Sequence, residues 1–180
     1  MQQRVFALGL LFLCVGCITQ PGPNFYQDAK FELSPAEMRQ VIVDHGGTIE
    51  ADHRQGDAES LRALMWGSEM REGDFKPEVL ALFAHGRMKV LGVAYPRKLG
   101  CEHLFENVRK SLMRAFGEPQ SADYERASEG VHYWLLKWHP PGGFVSARRY
   151  VNDAGSCGFV SVAIFSGSEA EWDALTENLD

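Results

Sequence analysis

Between Val79 and Pro119 the sequence admits few alternatives. Two apolar runs, Val79–Ala84 and Met88–Tyr95, flank His85-Gly86-Arg87, a short glycine-containing turn that marks a β-hairpin. Pro96 closes the second run, because proline cannot donate to a sheet ladder. The period then changes. Leu104, Phe105, Val108, Leu112 and Phe116 recur at helical spacing from about Glu102 to Phe116, with Cys101 one turn earlier on the same stripe. Glu106 and Lys110 form a favourable i,i+4 pair on the solvent side. Gly117 and Pro119 terminate the helix. A hairpin and an amphipathic helix in succession must bury their apolar faces against each other, which points to helices on an antiparallel sheet.

The flanks repeat that logic. Ser34, Pro35 and Glu37 form a capping box at the start of a helix, whose Met38, Val41, Ile42 and His45 share a face and which Gly46-Gly47 stops. Thr48–His53 is a weak strand, with only Ile49 and Ala51 apolar, and Leu61–Trp66 is a better one. Downstream, Val131–Trp138, Phe144–Val151 and Phe159–Phe165 read as strands. They are joined by turns at Pro140-Pro141-Gly142-Gly143 and Asn152-Asp153-Ala154-Gly155. The tetrad Gly-Phe-Val-Ser at Gly143–Ser146 recurs at Gly158–Ser161, as two strands under the same constraints. Ser168 and Glu171 open a short last helix with Trp172, Leu175 and Leu179 on one face. The expected fold is α+β: an antiparallel sheet with amphipathic helices on one face. The order helix, strands, helix, strands accommodates two helix-plus-meander modules.

Composition narrows function by exclusion. The chain has 180 residues, 45% hydrophobic and 23% charged, which is ordinary globular usage. Its net charge of −6 is the wrong sign for a nucleic-acid binder. Its start is less ordinary. Arg4 precedes Val5–Val15, about eleven residues without a charge, far short of the ~20 that span a bilayer. A positive start, a short apolar core and a small residue at the exit form a secretory signal. The exit, Leu13-Cys14-Val15-Gly16-Cys17, resembles a bacterial lipoprotein signal, with Cys14 where that family commonly has leucine. The resemblance implies cleavage after Gly16 and lipidation of Cys17. Cutting before Cys14 would require Leu13 at a position that takes a small residue.

The expected organisation is a signal peptide over 1–16, a lipidated cysteine and flexible tether over 17–31, and a single domain over 32–180. Pro21, Gly22, Pro23 and Asn24 mark the tether. Ile18 follows the cysteine where the family's inner-membrane proteins have aspartate, which implies the outer membrane, facing the periplasm, in a cell with two membranes. Losing residues 1–16 removes Arg4 and no acid, so the mature charge moves from −6 to −7. Attachment to anionic lipid then depends on acyl chains. The strand, glycine turn, strand, helix and Gly-x-Pro pattern from Leu82 to Pro119 is also similar to small envelope lipoproteins of αβ-repeat type. Those include the outer-membrane-assembly lipoprotein family and the β-lactamase-inhibitor-like double repeat.

With Cys14 removed and Cys17 lipidated, Cys101 and Cys157 remain as a candidate disulfide in an oxidising compartment. Two buried free thiols is the other structural reading. A Cys101 nucleophile at a helix start would need a base, and His103 falls on a different side of the helix. Asp44-His45 and Asp52-His53 repeat a dipeptide without H-x-x-x-H or H-E-x-x-H spacing, so no metal or other cofactor is expected.

The stretch Val131–Trp138 is the most informative part of the mature chain. In a strand, Trp134, Leu136 and Trp138 face one way and Val131, Tyr133 and Leu135 the other, so both faces are bulky and apolar. An antiparallel sheet with one wet face alternates instead. Either the chain covers the second face itself, or Trp134, Leu136 and Trp138 form an interaction face, with Arg148 and Arg149 beside it. The expected function is that of an envelope protein-binding or assembly/scaffold module. Its partners are the membrane, through the lipid, and an envelope protein or a second copy, with no nucleic acid. An inhibitor or immunity role against an envelope enzyme is the alternative, followed by a hydrolase-type enzyme.

Overall fold

The computed structural model describes residues 25–65, 77–95 and 101–176. The expected signal, Cys17, the tether up to residue 24, Trp66, Pro96 and Leu179 lie outside the described residues. The elements run in the order α1 (Phe25–Asp28), α2 (Pro35–Asp44), β1 (Gly47–Gln55), β2 (Ala58–Met65), β3 (Glu78–Ala84), β4 (Arg87–Tyr95) and α3 (Cys101–Phe116). There follow β5 (Ser121–Ser128), β6 (Val131–Trp138), β7 (Phe144–Asn152), β8 (Cys157–Phe165) and α4 (Glu169–Thr176). The fold is α+β, dominated by one open eight-stranded sheet in the order β1-β2-β3-β4-β8-β7-β6-β5 with every pairing antiparallel. Two runs of four sequential strands meet where β4 pairs with β8, which leaves β1 and β5 as edges. Among the described residues no helix is long and apolar enough to cross a membrane.

Local chemistry explains the element ends. The Ser34 backbone N–H donates to Glu37 Oε2 at 2.8 Å and the Glu37 N–H donates back to Ser34 Oγ at 3.3 Å, which completes the capping box of α2. Ser168 and Glu171 repeat the arrangement at α4, with 2.7 and 3.3 Å bonds. Between β3 and β4 the turn is tighter than a three-residue loop. His85 (φ 52°) and Gly86 (φ 72°) both take positive φ, as a two-residue hairpin turn with the right twist requires. Glu106, expected to pair with Lys110 (3.8 Å), is held closer by Arg109 at 2.6 Å.

The core sits on one face of the sheet. Met38 and Ile42 of α2, and Val108 and Leu112 of α3, pack with Leu61, Ala63, Val79, Ala81, Leu91, Val93, Val160, Val162 and Ile164 from alternate strand positions. Phe144 and Phe165 project from the other face, where Trp172 of α4 lies 6.5 and 5.6 Å from their rings. The last helix therefore departs from the expected one-face arrangement. A helix must cover whatever apolar corner its connection can reach, and α4 follows β8 directly.

Two features differ from expectation. Phe25, Tyr26 and Ala29 lie within the expected tether, yet they are fully buried in the core. Phe25 meets Tyr26 and His45 edge-on at 5.3 and 5.5 Å, and the Tyr26 and Tyr95 hydroxyls share a 2.6 Å hydrogen bond. Burial pushes both hydroxyls' pKa upward, so the pair stays neutral. Each buried aromatic is worth about 1.5–3 kcal/mol, enough to dock a short segment that carries no periodicity. The packed domain thus includes residues 25–31. Strand β5 was not expected at all. Its sequence, SADYERAS, is polar because an edge strand buries little and is held mainly by its ladder to β6.

Cys101, at the start of α3, and Cys157, at the start of β8, stand at disulfide distance with Cα atoms 5.8 Å apart.

Candidate functional site

Strand β6 alternates as its sequence requires, but its aromatic side chains meet different fates. Trp138 is 0% exposed and its indole N–H donates to the Gly117 carbonyl at 2.9 Å. Leu136, at 7%, lies in the same core cluster. Both point under the helices, so neither belongs to an interaction face. Trp134 shares their side of the strand but is 42% exposed. The sheet is wider than the helices on it: α3 neighbours β7 and β8, and this stretch of β5 and β6 lies beyond.

Trp134 is the centre of an aromatic patch. Strand pairing sets Tyr124 of β5 and Arg149 of β7 directly beside it. Tyr124 is 53% exposed, lies 5.1 Å from the Trp134 ring, and stacks on His132 at 5.4 Å with planes 10° apart. His132 in turn meets Asp153 at 3.1 Å. The Arg149 guanidinium lies over two rings, 5.6 Å from Phe105 of α3 and 5.9 Å from Trp134, with Glu102 3.6 Å away. Its Nε is buried without a hydrogen-bond partner among the described residues. An unpaired buried donor of this kind costs about 1–3 kcal/mol.

The opposite face of the same strands is also incompletely covered. Tyr133 donates a short hydrogen bond to Glu125, and its pKa is pushed up to about 12, mainly by burial and then by that bond. Arg148 sits 5.4 Å over the Tyr133 ring, and Phe159 stacks on Tyr150 at 4.1 Å. Phe159 of β8 is exposed beside them, and Leu80 and Leu82 of β3 are exposed farther across the sheet. Arg148 and Arg149 thus do flank the aromatic strand, one on each face.

The other candidates separate in space. His45 pairs with Asp28 at 2.9 Å, and Asp52 is taken by Arg39 at 2.6 Å, so the two Asp-His dipeptides do not converge. His139 meets Glu169 at 2.8 Å, and His103 is exposed. Among the described residues no three His, Cys, Asp or Glu side chains come together as a metal-holding group. Placing Cys101 against Cys157 leaves no thiolate at the helix start. A cleft of about 580 Å³ between α1, the end of α3 and the β6–β7 turn is lined by Lys30, Phe31, Arg114, Phe116 and Pro140 among others, with no histidine or cysteine.

Tyr124 is the site residue that sequence reasoning missed, because its strand was missed. The signal was present as Ala122, Tyr124 and Arg126 at spacing two, diluted by the charges between them. Comparison with protein-family models, curated proteins and solved structures finds no match to this chain.

Proposed function

We propose that this protein is a lipid-anchored module of the cell envelope that binds another protein through Tyr124, Trp134 and Arg149, in an assembly or scaffold role. One observation carries the binding reading: an exposed tryptophan and tyrosine in ring contact at the margin of the helix cover, with a half-buried arginine over the other side of the tryptophan. Those three residue types dominate the energy of protein interfaces, since they pair large rigid apolar area with a directed polar group. The anchor rests on the resemblance at Leu13–Cys17, with Ile18 favouring the outer membrane. Eight residue steps separate Cys17 from Phe25, the first residue of α1. Such a segment spans at most about 29 Å, which limits how far α1 can stand from the lipid. The strand order supports two helix-plus-meander modules, α2 with β1–β4 and α3 with β5–β8, joined at β4–β8.

The test uses the full chain, extracted from membranes in detergent and used for affinity capture. Trp134→Ala and Arg149→Ala should each weaken capture about 30-fold, the equivalent of a ~2 kcal/mol interface anchor, with unchanged circular dichroism. Retained capture in both variants overturns the binding reading. Cys17→Ser should release the protein from the membrane fraction, and unchanged attachment overturns the anchor. An enzyme recovered as the captured partner would favour the inhibitor or immunity role over the scaffold.

A further inference from the structure

The two edges of the sheet are built differently. Strand β1 carries Glu50, Asp52, His53 and Arg54, breaks its pairing with a bulge between Ile49 and Ala51, and is tied by Asp52 to Arg39 of α2. Charge and a bulge are how natural sheets guard an edge against further pairing. Strand β5 pairs regularly with β6 from Ser121 to Arg126, and its irregularity comes only between Arg126 and Ser128. No strand lies on its outer side among the described residues. Its side chains divide between the two faces, with both acids on one. Ala122 and Tyr124, followed by Arg126 at the end of the regular pairing, lie on the side of Leu136, Trp134 and His132, while Asp123 and Glu125 lie on the side of Leu135 and Tyr133. Among the described residues neither acid stands within ion-pair distance of a cation: Asp123 accepts a 3.0 Å hydrogen bond from Ser121, Glu125 a short one from Tyr133, and Lys137, whose charge both acids favour from farther off, is held by Glu169 at 2.8 Å.

From this we infer that β5 receives an extended segment of the partner protein, whose side chains alternate between apolar or aromatic and basic. The inference rests on the binding role of the Tyr124–Trp134–Arg149 patch and names what that patch receives. Backbone hydrogen bonds from the added strand continue the ladder, and alternate side chains supply the choice of partner. On one side an apolar or aromatic residue lies beside Tyr124 and extends the row from Trp134. On the other a lysine or arginine lies beside Asp123 and Glu125, within the ~4.5–5.5 Å Cβ separation of directly opposed residues. A second copy of β5 does not meet the same need. Antiparallel self-pairing centred on Asp123, Tyr124 or Glu125 sets Asp123 against Asp123, Asp123 against Glu125, or Glu125 against Glu125. Like charges directly opposed weaken a strand pair.

The experiment titrates the full-length protein in detergent, at physiological salt, with three acetylated octapeptides. One alternates Lys and Val, one alternates Glu and Val, and one is the Lys-Val peptide N-methylated at alternate backbone nitrogens. Binding is read with hydrogen exchange by mass spectrometry. The Lys-Val peptide should slow exchange across 121–128 and bind at least tenfold tighter than the Glu-Val peptide. N-methylation should abolish the protection, and an Asp123→Lys/Glu125→Lys variant should reverse the preference. No protection of β5, equal affinities, protection at β1 instead, or β5 protection through self-association without peptide would each overturn strand addition. If Trp134→Ala still abolishes partner capture while the peptides do nothing, strand addition alone fails. Retained capture in Trp134→Ala and Arg149→Ala overturns the parent reading.

Discussion

Removing the link between Cys101 and Cys157 tests the tertiary arrangement at a point where the loss can be calculated. The two residues are 56 apart in sequence and their Cα atoms 5.8 Å apart in space, inside the range a disulfide spans. Closing a loop of that length restricts the unfolded chain by about 4 kcal/mol in the chain-entropy account. Cys101 is small and almost fully buried, so alanine in its place loses little packing. For a domain of this size each kcal/mol moves the melting temperature by about 2–4 °C. The Cys101→Ala/Cys157→Ala variant should therefore melt roughly 8–16 °C lower. Urea unfolding with and without reductant provides the assay. The oxidised wild type should have the higher midpoint and the lower slope, because a cross-linked unfolded chain exposes less surface. Wild type and variant midpoints that coincide under oxidising conditions would refute the reasoning. So would two free thiols, found by mass spectrometry, in protein purified without reductant.

Three further outcomes follow from particular contacts. A Cβ on Gly143 would lie 2.2 Å from the Phe31 ring, so Gly143→Ala should cost about 1–3 kcal/mol in urea unfolding by overpacking, and Phe31→Ala in the same chain should recover part of the loss. Trp138→Phe leaves a void in the core and removes the donor to the Gly117 carbonyl. It should cost about 2 kcal/mol yet leave partner capture intact, the reverse of Trp134→Ala. Glu169 accepts hydrogen bonds from Lys137 and His139, both at 2.8 Å, which hold its carboxyl below the ordinary carboxylate range. That stabilisation is complete above the ordinary range and is lost as pH falls through the lowered value, so the protection factors of α4 amides, taken relative to the intrinsic rate at each pH, should fall on acidification. Glu169→Gln should show the lower protection at neutral pH and lose the acid dependence.

The elements legible in sequence were those whose determinants are local. Ser34 and Glu37 sit three apart and cap α2 by themselves. His85-Gly86 turns the β3–β4 hairpin because a glycine lies where φ must be positive. The stripe through Val108 and Leu112 makes α3 whatever it packs against. The elements missed were those held from a distance. Phe25 and Tyr26 carry no period, and they are recruited by His45 and Tyr95, far along the chain. Strand β5 has too few apolar residues to announce itself and exists because β6 offers it a ladder.

The site divides in the same way. The alternation along β6 showed that Trp134, Leu136 and Trp138 share a side, because strand geometry is a property of successive residues. Which of them stays in contact with solvent depends on how far α3 reaches across a sheet eight strands wide, and no pattern within Val131–Trp138 encodes that reach. The lipoprotein-like pattern at Leu13–Cys17 and the net charge are read from the chain as written. Assembling Tyr124, Trp134 and Arg149 from three strands required the register of the sheet, since residues from three separate segments become neighbours only when the backbone ladders are formed.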